Sequence, residues 1–285
     1  MTPSTPAPIA RNSHPCFFAG ARHSHGRIHL PVAAGCNIRC GYCDRRANCP
    51  HESRPGVASR VLTPEQALEW LTRAREEMPW LAVAGIAGPG DPFDDPGNTL
   101  ATLELVRAQH PDLLLCLSSN GLGLFEHVPR LADLGVGFVT LTVNAVDPAV
   151  GGKLYSWISW QGRRLEGPEA ADLLWERQKA ALILLKAAGL TVKVNTVVVP
   201  GVNDLHVTAV ARRVADLGAD LMNLIPLIPL PATPLANTPP PSAALMESLR
   251  RQAGRHLPQM RHCRRCRADA VGLLGEKLPH QPSRC

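Results

Sequence analysis

The stretch Cys36-Asn-Ile-Arg-Cys40-Gly-Tyr-Cys43 sets three cysteines at C-x₃-C-x₂-C. It directly follows an apolar run, Ile28-His-Leu-Pro-Val-Ala-Ala-Gly35, that predicts a short strand. Thiolates at this spacing hold a soft metal centre. Four would close a [4Fe–4S] cluster; three leave one iron open to an exchangeable ligand. A zinc knuckle or a set of structural thiols is the alternative for the same residues.

The 285 residues suffice for one large α/β domain or two smaller ones. Apolar residues make up 45%, which supports a sizeable core, and 4% aromatic residues argue against a stacking platform for nucleic acid. The formal charge of +6 includes one dense basic cluster near the C-terminus, which suits an anionic cofactor or metal–sulfur substrate. Residues 1–13 begin Met1-Thr-Pro-Ser-Thr-Pro and read as a disordered lead rather than a signal peptide. No apolar run approaches the roughly 20 residues that span a bilayer. Nine cysteines without a secretory signal indicate metal binding rather than disulfides. The expectation is a cytoplasmic metalloprotein, with neither membrane nor nucleic acid as partner.

Outward from the cysteine loop, strand and helix patterns alternate. Thr63-Pro-Glu-Gln66 is a capping box with proline at the first helical position, opening a helix that runs to Glu77. Apolar strands are predicted at Ala82–Ala87, Leu113–Leu117, Phe138–Val143, Thr191–Val199 and Leu221–Ile228. Helices are predicted at 99–109, up to Leu131, 169–188, 206–217 and 243–256, with a long insertion before Gly167. With the strand before Cys36 this makes six βα units. Continuous apolar strands between helices predict a parallel sheet covered by helices. Six are too few for a full barrel, so the expected fold is α/β: an open, TIM-like (βα)₆ partial barrel. Chemistry is expected at the C-terminal ends of its strands.

Gly85-Ile-Ala-Gly88-Pro-Gly90-Asp91-Pro92 follows the second strand, where glycines let backbone approach a ligand and Asp91 could take an ammonium group. A tight turn explains the same glycines. Ser118, Ser119, Asn120, Thr140, Thr142, Asn144, Asn195 and Thr196 are polar groups at or near strand ends, some pointing inward. The other cysteines are scattered: Cys16, Cys49, Cys116, and Cys263-Arg-Arg-Cys266 among arginines. The last pair alone could be a zinc half-site or a basic knuckle. Cys116 alone could be core. Cys285 has no assigned role.

The three-cysteine spacing and Tyr42 resemble the radical S-adenosylmethionine (SAM) superfamily, in which the open iron is chelated by SAM. Longer motifs are similar to the NifB family of nitrogenase iron-molybdenum cofactor maturases. They are His14-Pro-Cys16, Arg27-Ile-His-Leu-Pro-Val32, Glu52-Ser-Arg-Pro-Gly-Val57, Gly85–Pro92, Val192-Lys-Val-Asn195 and Arg261–Leu274. The resemblance covers about residues 14–276, implying one catalytic domain there and a tail at 277–285, in a standalone form without the carrier-like domain some members carry. It further implies that terminal extensions close the barrel mouth.

This family fuses two [4Fe–4S] clusters around a SAM-derived carbide, adding a sulfur, to give an eight-iron precursor. By resemblance, Cys36, Cys40 and Cys43 bind the SAM cluster, and Tyr42, Gly88, Gly90, Asp91, Thr142 and Asn195 contact SAM. Cys16, Cys263 and Cys266 hold one substrate cluster with a histidine: His14 is the expected ligand, ahead of His23 and His25. Cys49 and Cys116 hold the other, with Glu52 as an oxygen ligand. The implied partners are cluster donors, an electron donor and a downstream carrier or scaffold, acting on a monomer. Two other classes fit parts of the pattern. One is another radical SAM enzyme with auxiliary clusters, modifying a peptide or RNA; the other is a zinc-dependent basic binding module.

Overall fold

The computed structural model describes residues 7–45 and 54–275. Its strands are β1 (Gly26–His29), β2 (Ile38–Cys40), β3 (Leu81–Ile86), β4 (Leu114–Ser119), β5 (Val136–Thr142), β6 (Tyr155–Trp160), β7 (Arg163–Leu165), β8 (Thr191–Val198), β9 (Leu221–Pro226) and β10 (Val271–Gly272). Its helices are α1 (Pro64–Glu77), α2 (Pro96–Gln109), α3 (Val128–Asp133), α4 (Pro148–Gly151), α5 (Gly167–Ala187), α6 (Val207–Asp216) and α7 (Ala243–Ala253).

The main sheet has the order β10-β1-β3-β4-β5-β8-β9, and all its neighbours except β10 and β1 are parallel. Parallel strands need crossovers, and the helices between them supply these. The outer face is covered: Leu115, Val139, Leu141, Val192, Val194 and Leu224 pack with Leu71, Leu103, Leu131, Leu182, Val210 and Leu249 in one buried cluster. Each such side chain gains about 1.5–3 kcal/mol from burial. The opposite parity of the same strands faces inward, and there the residues are polar: Cys116 and Ser118, Thr140, Lys193 and Asn195, Asn223. The curled six-strand parallel sheet is the expected partial barrel.

Thr63 caps α1 as its sequence requires. Its Oγ1 accepts the Gln66 N–H at 3.3 Å, and the Gln66 side chain accepts the Thr63 N–H at 3.1 Å.

The extensions close the barrel at more than one place, and Ala268 of the C-terminal strap packs against Gly88 in the loop after β3. The N-terminal arm lies across the N-terminal ends of the strands: Ile9 N donates to Asp112 O at 3.1 Å, and Arg11 Nη2 reaches Thr191 Oγ1 at 2.8 Å. The C-terminal strap leaves β9, where Met260 N donates to Met222 O at 2.7 Å, and ends as β10 against β1. It thereby spans the flank that six parallel strands leave open. The reason is that β1 and β9 would otherwise present unpaired edges.

The stretch before Gly167, expected as an insertion, contains β6 and β7. They pair antiparallel with β2 in a second sheet of order β2-β6-β7. Among the described residues no helix is long and apolar enough to cross a membrane.

Candidate active site

The cysteine loop leaves the C-terminal end of β1 and is pinned from two sides. On one side β6 fixes Cys40 opposite Tyr155, and Gly41 N donates to Leu154 O at 2.7 Å. On the other, the glycine loop after β3 docks on the approach to Cys36: Gly90 N donates to Ala33 O and Asp91 N to Gly35 O, both at 2.7 Å. A Cβ on Gly90 would stand 1.6 Å from Gly35 O, so only glycine permits that approach. Gly88 has φ +116°, a conformation that also favours glycine.

Cys36, Cys40 and Cys43 are half-buried and not disulfide-bonded. Burial pushes the Cys40 thiol well above its ordinary value, and the neighbouring charges of Cys43 and Cys36 add to this. Burial, with Asp91 nearby, pushes Cys36 up to about 12. Thiols so placed resist ionising together unless cationic metal joins them. Among the described residues no three His, Cys, Asp or Glu side chains converge closely enough for a single metal ion. Three thiols on one loop suit three corners of a cubane, which takes one thiolate per iron.

Tyr42 belongs to the wall of this site. Its hydroxyl lies 2.7 Å from Asn144 Nδ2, and the fully buried Asn144 accepts the Val197 N–H at 2.9 Å. Thr142 ends β5 at the mouth, and its carbonyl accepts from Gln178 Nε2 at 2.9 Å.

Asp91 departs from the role expected of it. Its carboxylate is buried and accepts from Phe93 N at 3.0 Å, from Ser119 Oγ at 3.0 and 3.1 Å, and from Asn120 N at 2.6 Å. Donors of the chain itself already occupy both oxygens, so Asp91 ties the glycine loop to the end of β4 rather than offering itself to an ammonium group. Burial raises its pKa to about 6, against the lowering effect of these bonds. Asn120, positioned by this network, donates to Asn37 Oδ1 at 2.7 Å and sits 3.8 Å from Cys36 Sγ.

Below the cysteine loop the barrel encloses a cavity. The N-terminal arm brings His14 and Cys16 to it, β1 brings Arg27 and His29, β4 Cys116, β8 Lys193 and Asn195, β9 Asn223, and the strap Cys263 and Cys266. Five of the expected auxiliary ligands, His14, Cys16, Cys116, Cys263 and Cys266, thus meet in one lumen. Cys49 and Glu52 lie outside the described residues. Asn195 faces this cavity, its Oδ1 accepting from Asn223 at 3.1 Å, below the cysteine loop rather than beside it. Burial pushes the Cys116 thiol up to about 12.

The two cavity histidines carry opposite tautomers. His14 Nδ1 accepts the Cys16 backbone N–H at 3.2 Å, so its proton is on Nε2 and no lone pair is left there for iron. His29 Nδ1 faces the Arg267 carbonyl at 2.8 Å and must donate to it, which leaves the Nε2 lone pair free. That is how metal-ligating histidines are ordinarily oriented. Burial holds His29 near 4, so the ring is neutral at neutral pH. The geometry therefore favours His29 over His14 as the nitrogen ligand. His23 and His25 do not line the cavity; His23 Nε2 accepts from Arg22 at 2.8 Å. Sequence reasoning missed His29, Lys193 and Arg27, whose Nη2 donates to Cys266 Sγ at 3.1 Å. The available signal was parity: 27 with 29, and 193 with 195, recur at the two-residue period of an inward face.

The radical SAM superfamily profile matches residues 30–214. The chain is 50% identical over 264 residues to the FeMo cofactor biosynthesis protein NifB of Chlorobaculum tepidum, covering 93% of this chain and 62% of that protein. It is 44% identical to NifB of Klebsiella pneumoniae, covering 94% and 58%. The chain thus spans about six-tenths of the length of these relatives. Among solved structures, methylornithine synthase superposes with a TM-score of 0.52 at 18% identity, over 89% of this chain and 77% of that one. The radical SAM methyltransferase TsrM of Kitasatospora setae superposes at 0.53 and 16% identity, over 76% and 39%. At such identities the superpositions speak for the fold alone.

Proposed function

The chain belongs to the radical SAM superfamily, and from that premise we propose that it is the catalytic core of a NifB-type maturase, spanning about residues 14–276. Its reaction would fuse two [4Fe–4S] substrate clusters with a SAM-derived carbon and an added sulfur into an eight-iron precursor. The observation that carries this reading is the lumen. Cys16, Cys116, Cys263, Cys266 and the free Nε2 of His29 line one cavity beneath the cysteine loop, too many metal-binding groups for a barrel that only cleaves SAM.

Cys36, Cys40 and Cys43 would hold the resident cluster, which when bound supplies the electron that cleaves SAM. Tyr42, Gly88, Gly90, Thr142 and Asn120 shape that end of the lumen. Asp91 keeps the glycine loop and Asn120 in place. Cys16, Cys263, Cys266 and His29 would grip one substrate cluster, and Cys116 the other, joined by Cys49 and Glu52. Mixed and sparse ligation suits a substrate that must leave. Arg27, donating to Cys266 Sγ, offsets thiolate charge. We place the enzyme in the cytoplasm as a monomer, served by cluster and electron donors and delivering to a carrier, with no nucleic-acid partner.

Iron, sulfide and zinc content of the anaerobically reconstituted chain, assayed with SAM cleavage, tests this. About twelve irons, as three four-iron clusters require, together with SAM cleavage is the expected result. About four to eight after complete reconstitution would favour a radical SAM enzyme acting on a peptide or RNA. Zinc without iron would defeat both.

A further inference from the structure

Lys193 is 6% exposed and points into the lumen from β8. Its ammonium has one long contact, 3.5 Å to the Cys16 carbonyl, and lies 4.6 Å from the Phe17 ring centroid. No carboxylate pairs with it, and none lines the cavity among the described residues; Arg27, Arg264 and Arg265 line it as well. Two further buried donors there have no partner: Nε of Arg27 and Nε2 of His14, on side chains 5% and 1% exposed. The tautomer fixed by Cys16 N–H makes that His14 nitrogen a donor too.

Unpaired buried charge and stranded donors are each costly, and here three occur around one lumen that no acid of the described residues lines. Elsewhere buried polar groups such as Asn144 and Asn203 find partners, while Thr99 Oγ1, Arg250 Nε and Gln259 Oε1 stand alone; the lumen differs in gathering two stranded donors around one buried ammonium. We propose that this cavity contains an anion subsite, with Lys193 as its anchor and Arg27 and His14 as auxiliary donors. Its ligand is a small inorganic sulfur or oxygen anion that offers several lone pairs. Two sources share that chemistry: a free oxyanion such as sulfate, or a sulfide of a bound cluster. The subsite itself stands on these contacts. A cluster sulfide as its ligand rests on the maturase reading.

The test has two arms, each run on wild type, Lys193→Met and Lys193→Arg. In the first, sulfate is titrated calorimetrically into the reduced, metal-free chain. We expect about one equivalent bound by wild type, at least roughly tenfold weaker binding by Lys193→Met, and most of it restored in Lys193→Arg, since a charge-assisted bond contributes about 1.5–3 kcal/mol. In the second, auxiliary-cluster potentials are measured in the reconstituted chain by redox titration with EPR. A more negative potential in Lys193→Met without sulfate binding would identify a cluster sulfide as the anion. Absence of both effects overturns the subsite. Should Lys193→Met fail to fold, Lys193→Gln is read in its place. Iron content is recorded throughout: full iron loading without an anion effect defeats the subsite alone. Sulfate binding in a chain that loads no iron defeats the maturase reading alone.

Discussion

The Nδ1 of His29 stands 2.8 Å from the carbonyl oxygen of Arg267, and a carbonyl can only accept. This one contact sets the ring's tautomer and leaves its basic nitrogen free in the cavity that Cys16, Cys263 and Cys266 also line. It also couples β1 to the strap that closes the barrel's flank. His14, a few ångströms from the Phe17 and Phe138 rings, has the reverse assignment.

Replacing His29 by alanine should therefore alter the spectroscopic signature of one auxiliary cluster and weaken its retention roughly 10–100-fold. His14→Ala should leave iron content near that of wild type. EPR and iron analysis of both variants decide the matter. A change confined to His14→Ala would return the ligand role to His14.

Asp91→Ala would strand the N–H groups of Phe93 and Asn120 and the Ser119 hydroxyl. A loss of about 3 kcal/mol is expected in urea unfolding. Titration adds a second handle. With its folded pKa raised to about 6, above the ordinary 3.8, the carboxyl is a better proton acceptor folded than unfolded. Its stabilising contribution is then full below about pH 4 and is lost as pH rises through 6, by roughly 3 kcal/mol. The stability margin of wild type over Asp91→Asn should narrow across that window. A margin constant from pH 4 to 7 would refute the raised value.

Gly90→Ala brings a Cβ to 1.6 Å from Gly35 O, which backbone movement alone can relieve. The cysteine loop must shift, and we expect a loss of about 2–3 kcal/mol together with about four irons per chain. Retention of the full iron complement would show that the contact does not position Cys36.

Thr63→Ala serves as the contrasting case. It removes one arm of the capping box at the start of α1, outside the lumen, and should cost about 1 kcal/mol in thermal or urea unfolding. Iron content and SAM cleavage should stay unchanged. A loss of either would mean that α1 communicates with the cysteine loop.

Local order was written plainly in the chain. The capping box at Thr63 and the apolar strands needed no tertiary information, because caps and periodicity act over a few residues. The pairing of β2 with β6 was not legible, since it joins Cys40 to Tyr155 across more than a hundred residues through a three-residue strand. The engagement of Asp91 was not legible for a similar reason: its partners Ser119 and Asn120 are remote in sequence, and a free carboxylate and a bonded one are written with the same letter.

The sequence by itself determined the alternation of strand and helix, the three-cysteine loop and the family resemblance, because these depend on residue type and spacing. Only the tertiary structure decided which ring nitrogens of His14 and His29 carry protons, that Lys193 meets no carboxylate among the described residues, and that the extensions close the flank and the lower end of the barrel. Each of those is a matter of which distant group lies within hydrogen-bonding reach. Such proximity is created when the sheet curls and brings β9 and β1 close enough for a single strap to bridge them.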